Sequence, residues 1–82
     1  MGRASRRRWD PHEVEALKRV VAEIPKRQRP PETIRVSLIP ISGGYADLRV
    51  YRGALPTRQG LVIHRDLLPA VLRGVTMAAE AL

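Results

Sequence analysis

The feature that most constrains this chain is a hydrophobic period of two at its centre, interrupted once. Ile34, Val36 and Leu38 alternate with Thr33, Arg35 and Ser37, and further on Leu48 and Val50 alternate with Asp47, Arg49 and Tyr51. Alternation puts successive side chains on opposite faces, so each stretch reads as a half-buried strand. Between them Pro40 ends the first strand or places it at an edge. Ser42-Gly43-Gly44 then supplies residues able to take positive φ, so the chain reverses as a hairpin. If the aliphatic sets share the core face, Arg35, Arg49 and Tyr51 are displayed together on the other, solvated face. Guanidinium groups grip phosphates, and an aromatic ring gives an unstacked base a plane to lie on.

The flanks extend this sheet. A third strand is predicted from Gly60 to His64, with Leu61 and Ile63 facing the core, after a connection running from Arg52 to Gln59. Upstream, Asp10-Pro11 opens like a capped helix, and Val14, Leu17, Val20, Val21 and Ile24 recur at helical spacing. Arg19 to Ile24 is equally a β-branched run, and Pro25 disfavours helix at Ile24. The reading is a short helix over 11–19 and an edge strand over 20–26. Downstream, Asp66 is placed to cap and Pro69 falls in the first turn of a long C-terminal helix. Its apolar stripe includes Leu67, Leu68, Val71, Leu72, Val75, Ala78, Ala79 and Leu82. The fold class is therefore α+β: an antiparallel sheet of three to four strands followed by a long C-terminal helix.

Size decides what the wide stripe is for. A chain of 82 residues buries little core, and with 0 Cys it has no disulfide or thiolate metal site to compensate. Oligomerisation remains, so part of the stripe (Leu68, Leu72, Val75, Ala79) is expected to form a homodimer interface. His12 and His64 lack ligand spacing, no metal or other cofactor is expected, and no triad or phosphate loop stands out, so the chain is not read as an enzyme.

Charge points to a polyanion. Fifteen Lys+Arg against eight Asp+Glu leave a net +7. Residues 1–9 read as a disordered basic arm carrying Arg3, Arg6, Arg7 and Arg8, and residues 10–82 as one sheet-plus-helix domain. No apolar run is long enough to span a bilayer and no secretory signal core follows the basic start, so a cytoplasmic protein without membrane contact is expected.

The ordered set Ile24-Pro25-Lys26, Ile34-Arg35-Val36-Ser37-Leu38, Asp47-Leu48-Arg49-Val50-Tyr51, Pro56-Thr57-Arg58-Gln59-Gly60-Leu61-Val62-Ile63 and Asp66-Leu67-Leu68-Pro69 carries a resemblance. Over roughly 21–82 the chain resembles the single-stranded-DNA-binding domain of the Positive Cofactor Four transcriptional coactivator family, especially its short bacterial members. The resemblance implies a twisted sheet backed by a helix, a dimer formed through the helices, and a basic sheet surface for unpaired DNA. It implies a role in transcription regulation and a nucleoid-associated location in a bacterial cytoplasm. By position it assigns nucleic-acid binding to Lys26, Arg35, Arg49, Tyr51 and Arg58. Gln59 replaces a basic residue of the family pattern, and the hairpin tip 41–44 lacks its aromatic and lysine. Those departures leave an alternative open: an adaptor on the same fold that binds an acidic partner of the transcription machinery.

Overall fold

The computed structural model describes residues 10–82, and the arm read over 1–9, with its four arginines, lies outside them. Asp10 opens α1 (Pro11–Leu17) through a reciprocal capping box: its carboxylate accepts from the His12 N–H at 3.0 Å, and Glu13 accepts from the Asp10 N–H at 3.2 Å. The helix stops at Leu17, short of the expected 19, because Lys18 is already extended (φ −66, ψ 141). From there the β-branched run enters a sheet ladder as β1 (Arg19–Gln28). Ladder hydrogen bonds and β-branched side chains favour strand over the weak helical periodicity.

Four strands form one antiparallel meander in the order β1-β2-β3-β4, with β2 spanning Pro31–Ile39, β3 Tyr45–Arg52 and β4 Leu55–His64. The β2–β3 hairpin forms where the glycines predict it: Ser42, Gly43 and Gly44 have φ of 49, 94 and 103. A side chain on Gly43 would also meet the His64 ring, 3.2 Å from the position of its Cβ.

Two sequence expectations are corrected in this region. The long connection 52–59 is a tight turn at Gly53-Ala54, and β4 begins at Leu55. Pro56 is tolerated because β4 is an edge strand, and a bulge opposite Val50 absorbs the mismatch. Thr57 fastens that bulge, its hydroxyl donating to the Val50 carbonyl at 2.7 Å and accepting from the Gln59 N–H at 3.2 Å. At the far end of β4 the capping residue is His64, not Asp66: the His64 Nδ1 accepts the Asp66 N–H at 3.1 Å, opening a 3-10 turn over Arg65–Leu67.

α2 (Leu68–Ala81) follows, with Pro69 in its first turn as expected. It does not back its own sheet. Leu68 and Val71 are half-buried near the sheet end, and every later residue of the helix is exposed, including Leu72, Val75 and Met77. The radius of gyration is 14.9 Å, against about 12 Å for a compact chain of this length. A single copy therefore holds its amphipathic helix out from the sheet.

Candidate nucleic-acid interface

The β2–β3 register pairs Thr33 with Tyr51, Arg35 with Arg49 and Ser37 with Asp47, while Ile34 faces Val50 and Val36 faces Leu48. The partition into two faces is the one the alternation predicts. Which side chains are wet differs from the expectation. On the polar face Ser37, Asp47 and Tyr51 are among the most buried side chains of the domain, while on the aliphatic face Ala46, Val50 and Ile63 are buried as expected and Leu38, Leu61 and Ile24 are exposed.

The polar face is closed by the chain's own N-terminal segment. Lys18, its side chain 8% exposed, places Nζ 2.8 Å from Asp47 Oδ2, 2.9 Å from Glu15 Oε1 and 3.3 Å from the Tyr51 hydroxyl. The Tyr51 hydroxyl donates to Glu15 Oε2 at 2.5 Å. The Arg35 guanidinium lies 4.2 Å from the Tyr51 ring centroid and pairs with Glu23 at 2.9 Å. Tyr51 is 1% exposed as a result. Its expected display as a stacking platform is thus corrected: Arg35 already lies against the ring and Lys18 and Glu15 hold its hydroxyl.

Arg49 is engaged in the same way. Its Nη2 lies 2.9 Å from Asp47 Oδ1, and its Nη1 donates to the Thr57 carbonyl at 3.0 Å. To reach that carbonyl the guanidinium crosses the β4 backbone at Gly60, where a Cβ would sit 2.5 Å from Arg49 Cζ. A side chain at 60 would displace the Arg49 guanidinium from this position, and nothing in the backbone angles of Gly60 itself calls for glycine. Arg58 differs from the rest. It is exposed, makes no ion pair among the described residues, and lines a groove of about 770 Å³ between α1 and β4 with His12, Lys18 and Arg49.

A second ionic cluster occupies the other face, at the end where the β1–β2 and β3–β4 turns lie. Glu32, 5% exposed, receives Lys26 Nζ at 3.2 Å and Arg52 Nε at 2.9 Å, and Arg27 stands opposite it across the ladder. Of the five residues assigned from sequence, Lys26 alone belongs here. Arg35, Arg49 and Tyr51 form the closed cluster, and Arg58 sits beside it. Sequence reasoning passed over Glu32 and Arg52, whose pairing depends on the β2–β3 register; the length of that hairpin is the signal that fixes it.

The environments shift the titrating groups. Burial alone would raise the Glu15 carboxyl, but the Tyr51 hydroxyl and Lys18 outweigh it and hold it below its ordinary value. Burial would lower the Lys18 ammonium, yet bonds to Asp47, Glu15 and Tyr51 leave it raised. Burial, aided by the bond to Glu15, raises the Tyr51 phenol. Arg52, then Lys26, hold the Glu32 carboxyl below its ordinary value against its burial. The described residues contain no group of three or more His, Asp or Glu side chains placed to hold a metal ion, and no helix among them is long and apolar enough to cross a membrane.

Comparison of the chain with protein-family models, curated proteins and solved structures finds no match.

The shifts fix how the α1 contact responds to pH. A lowered carboxyl contributes stability that is present above its unfolded value and lost as pH falls through the folded one; raised Lys18 and Tyr51 values contribute stability that is lost as pH rises through them. The contact is expected to hold from about pH 6 to 9 and to loosen below about pH 4 and above about pH 11. An NMR titration of the Glu15 side chain should give a midpoint below that of free glutamate, moving up in Tyr51→Phe. A midpoint above free glutamate in the unaltered protein would mean that Glu15 is not held in this network.

Proposed function

We propose that the chain is one subunit of a homodimeric DNA-binding protein that prefers single-stranded or melted DNA and acts in transcription regulation. One observation carries the reading: cations remain after internal pairing is complete. Arg19, Arg27, Arg29, Arg58 and Arg73 are exposed and make no ion pair among the described residues. Arginine is suited to phosphate because its planar fork matches two oxygens at once. The preference for an unpaired strand rests on the ordered resemblance over residues 21–82. With Tyr51 covered, unstacked bases would pack on guanidinium planes, a mode that RNA-binding proteins use on unstacked bases. Regulation in transcription and a bacterial cytoplasmic setting follow from the same resemblance.

The dimer has separate support. Two apolar surfaces are left without a partner among the described residues: the α2 stripe with Leu68, Leu72, Val75 and Ala79, of which Leu68 is half-buried, and the sheet residues Ile24, Leu38 and Leu61. Fully burying one such Leu stabilises by about 1.5–3 kcal/mol, and a second copy offers matching faces. Leu72 is 67% exposed in one chain, so Leu72→Glu is harmless unless another copy covers it. Equilibrium sedimentation should show the unaltered protein as a dimer and Leu72→Glu as monomer or unfolded chain. A monomeric unaltered protein, or an undisturbed Leu72→Glu dimer, would remove the helix from the interface.

The binding reading is tested with single- and double-stranded DNA of equal length at two salt concentrations. The single strand is expected to bind more tightly at both, and its affinity to fall with salt by about 0.7 log units per log unit for each phosphate contacted. Equal affinities would contradict the strand preference. Absence of binding would favour the adaptor that meets an acidic protein.

A further inference from the structure

Internal pairing divides the charge of this domain unevenly. Around Tyr51, the cations Lys18, Arg35 and Arg49 meet the carboxylates of Glu15, Glu23 and Asp47, so that cluster sums to zero. Residues 10–82 contain eleven basic and eight acidic residues, a net +3. At the turn end of the sheet, Lys26, Arg27 and Arg52 stand about the single carboxylate of Glu32 and Arg29 lies in the adjoining β1–β2 turn, which is also a net +3. The whole excess of the described domain is thus matched at one end of its sheet.

We propose that this end, formed by Lys26, Arg27, Arg29 and Arg52 around the buried Glu32, is the surface that takes the phosphodiester backbone of a single strand. The inference rests on the DNA-binding reading above and moves its principal contacts away from Arg35, Arg49 and Tyr51. Glu32 is what makes the end more than a collection of mobile cations. It takes Arg52 through Nε, and the two terminal nitrogens of this 65% exposed side chain have no ion-pair partner among the described residues. They form the fork a phosphate accepts. It also takes Lys26 through its other oxygen, so both cations are oriented before any ligand arrives. Preorganised side chains lose less entropy on binding.

Arg27 and Arg29 add two exposed guanidinium groups with no acid bonded to them among the described residues. Arg29 precedes Pro30 in the β1–β2 turn, and Gly53 and Ala54 make the neighbouring turn, so among the described residues no further element covers this end of the sheet. Arg58 at the groove sits beside a cluster whose charges cancel. Among the described residues the net positive charge is therefore concentrated at the turn end, and such charge steers the encounter with a polyanion.

The test uses two charge-matched double variants of the full chain. Arg27→Ala/Arg29→Ala removes two arginines from the turn end, and Arg19→Ala/Arg73→Ala removes two that are equally exposed and unpaired elsewhere. None of the four makes an ion pair among the described residues, so both proteins should fold, which circular dichroism checks. Binding to a fluorescent single-stranded oligonucleotide is followed by anisotropy across a salt series. The turn-end variant is expected to lower the slope of log affinity against log salt by about 1.4, two single-strand contacts, while the control changes it by less than half as much. Equal loss in both variants, or none in the turn-end variant, would overturn the inference while leaving the DNA-binding reading intact. If the unaltered protein shows no salt-dependent binding to the oligonucleotide, or is retained by phosphatidylserine vesicles instead, both the reading and the inference fail.

Discussion

The ammonium group of Lys18 is the contact on which the rest of this arrangement depends. It reaches three oxygens, on Glu15, Asp47 and Tyr51, that belong to α1 and to the middle of β3. Together with the Tyr51–Glu15 hydrogen bond it fastens the N-terminal helix, which has only 7 residues and buries none of them fully. Isolated helices that short do not persist in water. Desolvated ions also tolerate no vacancy: removing one partner of a buried pair costs about 3–5 kcal/mol in comparable cases. Asp47, 1% exposed, would then have Arg49 alone. Arg49 in turn holds its place because Gly60 leaves the β4 backbone open beneath it.

The sheet has two unlike faces and two unlike ends. The polar face is closed by this contact and neutral in sum, while the aliphatic face leaves Ile24, Leu38 and Leu61 exposed in a single copy. At one end the chain passes through His64 into an exposed amphipathic helix; at the other, cations gather about Glu32. The division suits the proposed dimer, in which the apolar helix and the exposed aliphatic residues Leu38 and Leu61 would be covered together. A small domain that cannot complete a core alone gains stability this way and keeps its basic surface in water.

Much of the fold was legible in the sequence, for local reasons. Alternation at Thr33 to Leu38 and Asp47 to Tyr51 sets side-chain direction, and the positive-φ residues at 42–44 set the reversal between them. Asp10 with Pro11 states a helix start because capping needs only neighbours. The misses were non-local. Parity states which side chains share a face but not what covers it, so Tyr51 read as displayed when Glu15 and Lys18, more than thirty residues away, close over it. The turn at Gly53-Ala54 was hidden because a bulge, fastened by Thr57, lets β4 carry Pro56 and still pair. Glu32 escaped notice because its partner Arg52 is set by strand register.

The central claim is that the polar face is closed by α1 and is not where a base stacks. The reactivity of Tyr51 toward a ring-nitrating reagent, read by peptide mass analysis with and without a saturating single-stranded oligonucleotide, tests it most directly. Tyr51 should be slow to react in the free protein, buried and with its phenol raised, and equally slow with DNA bound. A Tyr51 that reacts readily alone and becomes protected by DNA would contradict the account and return the ring to the binding surface.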